Sequence, residues 1–165
     1  MPRSRRFAAL ILASALVATV ALAACSGSGK TVTVLHPAVT ATTVDAGDPG
    51  QSVGDVRLFE TPTTVEGSAA TGRMDATLTT TAVNVPSAGE EVRIGVLVFS
   101  FANEADQVVV EGSSTYPAAG ATIDPDTSTI RPIVGGSGAY AGARGWAESF
   151  HLADGTWKHV LHITQ

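Results

Sequence analysis

The sequence contains a single cysteine, Cys25, among 165 residues, and this scarcity removes several classes of protein. One thiol cannot form an internal disulfide, and one cysteine cannot supply a multi-cysteine zinc site. Aromatic residues make up only 5% of the chain and charged residues 15%. No window shows sustained apolar spacing of three and four residues, so the sequence does not predict a helical core.

The chain also lacks basic runs beyond its first residues. Residues 25–165 contain all 15 acidic residues and 7 of the 10 basic ones, which gives them a net charge of −8. Nucleic-acid binding depends on Lys and Arg side chains that neutralise phosphates. The composition therefore predicts a protein without a nucleic-acid partner.

The first 24 residues are typical of an export signal. Three arginines precede an uncharged apolar run, and small residues follow it. A membrane-spanning helix is the alternative, because the run approaches the length of about 20 residues that a span needs. However, Leu22-Ala-Ala-Cys25 resembles the lipid-attachment box of bacterial lipoproteins. We therefore predict an extracytoplasmic protein that is anchored to the cell membrane through Cys25. The predicted segments are a signal peptide at 1–24, a flexible tether at 25–30 and a barrel domain at 31–165.

Residues 31–165 have the pattern of a β-sheet protein. Thr, Val and Ile favour strands, and Gly, Pro, Asp and Asn break the pattern at short intervals. The predicted strands are 31–36, with 40–45 as a possible continuation beyond Pro37, then 55–61, 72–83, 92–101, 107–114, 129–134, 142–153 and 156–164. Pro62 is expected to end strand 55–61. Short turns between successive strands predict an all-β, eight-stranded antiparallel barrel, with a β-sandwich as the alternative.

The last hairpin allows a prediction of register. Asp154-Gly155 is a favoured pair for a two-residue turn, which would set Leu152 opposite Trp157. This register puts most apolar side chains of the hairpin on one face, namely Trp146, Glu148, Phe150, Leu152, Trp157, His159, Leu161 and Ile163.

Glu148 and His159 are the acid and the imidazole on that predicted face. Diagonal neighbours on a sheet lie about 7 Å apart, so these two side chains are expected to meet. Burial raises the pKa of a carboxyl group and lowers that of histidine, and pairing opposes both shifts. We therefore predict a general acid–base pair, with a structural ion pair or a subunit contact as the alternative.

The remaining polar candidates give weaker signals. Arg144, Arg73, Arg57 and Tyr116 are candidates for contact with an anion or an enol, or for surface ion pairs. No two of the four histidines have the spacing of metal ligands. The segment 136–141 fits a loose dinucleotide fingerprint, but a strand follows it where that motif needs a helix. The sequence thus predicts no metal and no cofactor.

Three blocks of sequence resemble the allene oxide cyclase and dirigent barrels, in the same order. They are Gly54-Asp55 with Phe59 and Gly72, then Val108-Val-Val-Glu-Gly112 with Tyr116, and then Ile133-Val-Gly-Gly-Ser-Gly-Ala-Tyr-Ala-Gly-Ala-Arg-Gly145. The resemblance implies an eight-stranded antiparallel barrel of the calycin type. It also implies a small apolar cavity at one mouth of the barrel and a homo-oligomer, often a trimer.

This chain lacks most of the residues that carry out the activities of that family. The plant cyclases use a first-strand glutamate and a pocket cysteine, but strand 31–36 has no carboxylate and the strand after Gly72 has no cysteine. Dirigent proteins place acids and arginines around the cavity, and here Arg144 matches the arginine of the signature.

Two functions follow as hypotheses, with a structural envelope protein as a third. The first is a lipid-anchored barrel that binds a small apolar ligand and performs no chemistry. The second is a dirigent- or cyclase-like isomerase that steers cyclisation or coupling by shape, with Glu148, His159 or Arg144 supplying polar groups. A cavity above about 300 Å³ would favour both of these. The residues predicted to line it are Phe59, Phe99, Phe101, Trp146, Phe150 and Trp157.

Overall fold

The computed structural model of the chain describes residues 29–117 and 122–165. The elements, in chain order, are β1 (Gly29–His36), β2 (Thr42–Val44), β3 (Val56–Val65), β4 (Thr71–Val83), β5 (Glu91–Ser100), β6 (Gln107–Tyr116), β7 (Thr127–Ser137), a 3₁₀ helix (Gly138–Tyr140), β8 (Arg144–His151) and β9 (Trp157–Thr164). Within the two described ranges, no helix has the length and apolarity needed to cross a membrane. The predicted signal peptide and Cys25 lie outside the described residues.

Eight of the strands form a closed antiparallel barrel. Each strand from β3 to β9 is hydrogen-bonded to the next, and β1 completes the ring between β9 and β3. The closing contact is short, with Val34 opposite Val65 and Leu35 opposite Thr64. β2 pairs with β3 outside the ring. The predicted barrel is confirmed, and the sandwich is excluded because the sheet closes on itself.

The two ends of the barrel differ in what fills them. At the end that we call the corner end, β1 and β8 begin, β7 and β9 end, and the 3₁₀ helix follows β7. At the opposite end, which we call the cavity end, β1, β6 and β8 end and β9 begins. The main buried cluster fills the interior from the corner end to the middle with Val32, Val34, Met74, Ala76, Leu97, Phe99, Val108, Val110, Ile133, Tyr140, Ala143, Ala147, Leu161 and Ile163.

The glycine-rich segment after Ile133 forms the corner end. Gly135 and Gly136 belong to β7, which continues to Ser137 and not only to the predicted residue 134. A Cβ on Gly136 would lie 2.5 Å from the carbonyl oxygen of Tyr140, so the chain needs glycine where it folds back on itself. The buried Tyr140 ring stacks on Phe101 at 4.6 Å between centroids. This stack closes the corner end.

The prediction that Pro62 ends a strand is wrong, because β3 runs through it to Val65. Pro62 pairs with Arg73 of β4. On its other side, β3 contacts β2 at residues 56–58 and β1 at residues 64–65, and Pro62 lies between these two contacts. The missing N–H of proline is tolerated at such an edge position.

The predicted register of the last hairpin is also wrong. His151 lies opposite Trp157, and Ala147 lies opposite Leu161. The Leu152 N–H donates to the Thr156 carbonyl at 2.9 Å, and Gly155 has a φ of +84°, which is typical of a three-residue loop. One added loop residue moves every side chain of β8 to the opposite face. Residues 146, 148 and 150 therefore lie on the outer face, and residues 147, 149 and 151 on the inner face.

Candidate binding cavity

A cavity of about 60 Å³, partly open to solvent, lies inside the cavity end. Its lining residues come from all eight barrel strands and from the loops at this end. They are His36, Val39, Phe59, Met74, Ala76, Leu78, Leu97, Tyr116, Thr122, Ile123, Thr129, Arg131, Ser149, Trp157 and His159. The wall is mainly apolar, and the polar groups in it are few enough to define an orientation for a bound molecule.

Arg131 enters the barrel interior because two glycines make room for it. Gly95 of β5 and Gly112 of β6 lie directly opposite each other. A Cβ on Gly112 would lie 3.3 Å from Cγ of Arg131, and one on Gly95 would lie 3.5 Å from its Nε. The Gly95 position would also place its Cβ 2.7 Å from Leu78. The arginine thus occupies space that side chains at both positions would otherwise fill.

The Arg131 guanidinium has neutral hydrogen-bond partners only. Nη2 donates to the Tyr116 hydroxyl at 2.7 Å, and Nη1 donates to Thr129 Oγ1 at 2.8 Å. Among the described residues, no carboxylate forms a salt bridge with Arg131, and its Nε has no hydrogen-bond partner. The side chain is 3% exposed. A buried cation without a counter-ion is costly, so it favours an electron-rich group in the cavity.

The cavity wall contains a second set of polar groups, which are joined by hydrogen bonds through two histidines. Ser149 Oγ lies 2.8 Å from His159 Nδ1. His159 Nε2 lies 3.1 Å from His36 Nε2, and His36 Nδ1 lies 2.7 Å from the Pro37 carbonyl oxygen. The planes of the two imidazole rings differ by 20°, with 5.1 Å between the ring centroids. This chain of hydrogen bonds thus links β8, β9 and β1 across the cavity wall.

Both histidines are uncharged at neutral pH. The pKa of His159 is lowered from 6.5 to about 3, mainly by burial and in smaller part by electrostatic repulsion from His36 and Arg131. Burial also lowers the pKa of His36, although its hydrogen bond to the Pro37 carbonyl opposes that shift in part. The neutral form is favoured because burial separates the rings from bulk water and, among the described residues, no carboxylate pairs with either imidazole.

A buried ionic cluster borders the cavity on the side of Tyr116. Glu91 accepts hydrogen bonds from Arg93 at 2.8 Å and from Thr80 at 3.0 Å, and lies 3.5 Å from Arg57. Burial would raise the pKa of Glu91, but these hydrogen bonds and that from Gln51 outweigh it, so the pKa is lowered. The Arg93 guanidinium lies 4.4 Å from the centroid of the Tyr116 ring. The cluster therefore holds Tyr116 in place beside Arg131.

The predicted acid–base pair does not form. Glu148 lies on the outer face, where it accepts a hydrogen bond from Ser128 at 3.0 Å, while His159 is buried inside the barrel. The shifted hairpin register separates them. Arg144 is exposed at the corner end, where it donates to the Ala143 carbonyl at 2.7 Å. The structure thus brings His159 alone of the three to the cavity.

The six residues predicted to line the cavity are spread over the whole molecule. Phe59 and Trp157 do line it. Phe99 packs below it, with its edge against His159 at 5.0 Å between centroids, and Phe101 lies at the corner end. Trp146 and Phe150 are outside the barrel, where they stack on His162 and contact Lys158 respectively. The hairpin register differs by one residue from the predicted one, and this difference places Trp146 and Phe150 on the outer face.

The other predicted polar residues lie in different parts of the barrel. Arg57 is buried in the ionic cluster, and Arg73 is exposed and paired with Asp75 at 2.9 Å. Tyr116 alone among them lines the cavity. Within the described chain, no three His, Cys, Asp or Glu side chains gather as metal ligands would.

Sequence patterns did not identify Arg131 or Ser149 as site residues. Gly95 and Gly112 carried a usable signal, because a glycine inside a strand often marks the close approach of another group. The predicted register puts Ser149 on the less apolar face of the hairpin, opposite the face that carries His159. No local feature decides between a two-residue and a three-residue loop around Asp154-Gly155.

The described chain is therefore an eight-stranded antiparallel barrel with an apolar cavity at one end. No family model and no curated protein matches its sequence. Its structure is similar to that of a pyocyanin demethylase, with a TM-score of 0.57 and 20% identity over 82% of this chain and 99% of that chain. It is also similar to a pterocarpan synthase dirigent protein, with a TM-score of 0.60 and 17% identity over 93% of this chain and 97% of that chain. The expected likeness to dirigent barrels is confirmed for the fold.

Proposed function

We propose that this barrel binds a small, mainly apolar organic molecule whose one polar group accepts hydrogen bonds at the cavity end. The observation that carries the proposal is Arg131, a buried cation with neutral partners beside an apolar cavity. An acceptor oxygen of a ligand would supply the negative potential that the described residues do not provide to Arg131. The Tyr116 hydroxyl, which Arg131 contacts at 2.7 Å, lies in the same wall and adds a second polar contact.

The size of the cavity limits how much of a ligand it can enclose. Its volume of about 60 Å³ is well below the roughly 300 Å³ at which pockets for drug-sized ligands begin. The condition of a cavity above about 300 Å³, which would favour both ligand hypotheses, is therefore not met by the enclosed volume alone. The enclosed part therefore takes a group no larger than a substituted ring, and the remainder of the ligand lies at the mouth. Phe59 and Trp157 supply flat apolar surface for it.

An enzyme that steers a reaction by shape is the second candidate. The Ser149–His159–His36 chain favours it, because three proton-bearing groups face one cavity. The two barrels of similar structure are a pyocyanin demethylase and a pterocarpan synthase dirigent protein, and their names are consistent with a reaction in the cavity. The low pKa of His159 makes it a weak base, so binding without chemistry remains the first candidate.

We also propose that Cys25 carries a lipid and holds the barrel at the outer side of a membrane. The support is the sequence of residues 1–25, with its basic start, apolar run and Leu-Ala-Ala-Cys box. β1 begins at Gly29 at the corner end, and the four residues from Cys25 span at most about 14 Å. Such an anchor would hold the corner end near the membrane and leave the cavity end facing away.

Native mass spectrometry of the protein from the cells that make it tests the binding function. The wild type is expected to retain a small molecule. Arg131→Met should lose it and stay folded, because a buried charge replaced by an apolar side chain of similar volume is often tolerated. Arg144→Met, at the exposed corner end, should retain it. A wild type without any retained molecule, or an Arg131→Met variant that keeps it, would contradict the proposal.

A further inference from the structure

We propose that Ser149 Oγ can only accept a hydrogen bond from a ligand, because its own hydrogen is donated to His159. It therefore selects ligands whose polar group can donate a hydrogen bond as well as accept one. The inference rests on the proposed binding function and narrows its ligand class. The class is alcohols and primary or secondary amides on an apolar body, in preference to ketones, ethers and esters. His159 and His36 act as positioning residues, since they orient the serine proton.

The direction of the hydrogen-bond chain follows from its last member. A backbone carbonyl can only accept, so His36 Nδ1 must carry the proton that lies between it and the Pro37 oxygen, 2.7 Å away. A neutral imidazole has one N–H, which leaves a lone pair on His36 Nε2. The 3.1 Å contact then requires the proton on His159 Nε2.

The same reasoning reaches Ser149. With its proton on Nε2, neutral His159 has a lone pair on Nδ1. The 2.8 Å contact therefore uses the hydroxyl hydrogen of Ser149 as the donor. Both histidines are 5% exposed or less, and the pKa of each is lowered, which supports the neutral forms.

Ser149 has one hydrogen to donate, and His159 receives it. The serine oxygen keeps its lone pairs, and Ser149 lines the cavity while it is only 3% exposed. It can therefore offer a ligand nothing but an acceptor. A ligand that cannot donate would leave the lone pairs of this buried oxygen without a hydrogen-bond donor.

Tyr116 supplies the complementary polarity. Its oxygen accepts from Arg131 Nη2, so its own O–H is left to donate, and the described residues show no acceptor for it. The cavity wall thus presents Ser149 Oγ as a fixed acceptor and the Tyr116 hydroxyl as a donor, beside the Nε of Arg131 that has no partner among the described residues. An alcohol matches both, whereas a ketone matches the donor alone.

Binding of 1-phenylethanol and acetophenone tests the selection, because the two probes have the same heavy atoms and differ in the ability to donate. Isothermal titration with wild-type protein should show about 10-fold or more tighter binding of the alcohol, as expected when a buried acceptor loses its partner. Ser149→Ala should bring the two affinities together. Ser128→Ala, which removes a serine of the outer face, should leave the preference unchanged.

Two further measurements test the positioning role. ¹⁵N NMR of the imidazole rings should find His159 protonated on Nε2 and His36 on Nδ1. His36→Phe should reduce the preference for the alcohol, because His159 can then change tautomer and release the serine hydrogen. The opposite tautomers, or an alcohol preference that survives in Ser149→Ala, would overturn the inference and leave the binding function standing. Failure of both probes to bind wild-type protein would overturn the binding function as well.

Discussion

Side chains of a strand point alternately into and out of the barrel, and some of the inward positions hold polar residues. Arg131 and Ser149 occupy inward positions of β7 and β8, where burial removes water from them. Each is retained because it has partners, namely Tyr116 and Thr129 for Arg131 and the imidazole of His159 for Ser149. Buried polar groups with such partners cost much less than isolated ones.

The buried imidazole of His159 should make stability depend on pH. Its pKa is about 3 in the folded state and 6.5 as a free side chain, so the unfolded chain binds a proton that the native state excludes. Stability from this residue is therefore present above pH 6.5 and is lost as the pH falls toward 3. We expect the free energy of unfolding to fall by about 2 kcal/mol between pH 7 and pH 5 from His159, and further from His36.

Urea unfolding at several pH values in this range measures the effect. His159→Gln should flatten the dependence on pH, and His162→Gln on the outer face should leave it as in the wild type. Equal pH slopes for the wild type and His159→Gln would show that the imidazole is not buried in its neutral form.

At the scale of elements, loop geometry decides which faces the strands present. The three-residue loop between β8 and β9 places Ser149 inside the barrel and Glu148 outside it. The corner between β7 and β8 depends on glycines whose missing side chains permit close backbone contact. The candidate site is at the opposite end of the barrel from this corner, although the corner is the most distinctive stretch of the sequence.

Two glycines of the corner allow a matched test of this requirement. Gly145 has a φ of +126°, and an added Cβ would collide with the His162 carbonyl of β9. Gly142 has a φ of +81°, but no atom lies within 4 Å of its Cβ position. Gly145→Ala should therefore lose about 3 kcal/mol or more of unfolding free energy, and Gly142→Ala about 1–2 kcal/mol. Chemical unfolding of both variants gives the comparison, and equal losses would show that backbone strain alone acts at Gly145.

At the scale of the whole molecule, the two ends of the barrel differ in structure. The corner end receives the chain from Cys25, and the cavity end carries the candidate binding site. A barrel with this polarity, if lipidated, would offer its cavity to the space outside the membrane. The expected homo-oligomer and the absence of a nucleic-acid partner stay predictions.

Lipidation of Cys25 is directly testable in a bacterial host. The full-length wild type should incorporate labelled palmitate and partition into the detergent phase of Triton X-114. Cys25→Ser should do neither, because the thiol is the attachment site of the predicted box. Detergent partitioning of the wild type without incorporated label would indicate that the apolar run of residues 7–24 is retained as a membrane span.

Closure into an eight-stranded barrel was predicted with a sandwich as its alternative, whereas the sequence by itself determined the all-β class and most strand positions. These follow from local alternation, β-branched residues and turn residues, which act over short distances along the chain. The tertiary structure alone decided the register of the last hairpin, the passage of β3 through Pro62, and the meeting of Arg131, Tyr116, Ser149 and the two histidines. The register depends on a single loop residue, and the passage through Pro62 depends on the edge of β3 that is free between its contacts with β1 and β2. The meeting of the polar side chains depends on Gly95 and Gly112, which leave room for Arg131. Such contacts join residues far apart in sequence, so no local pattern records them.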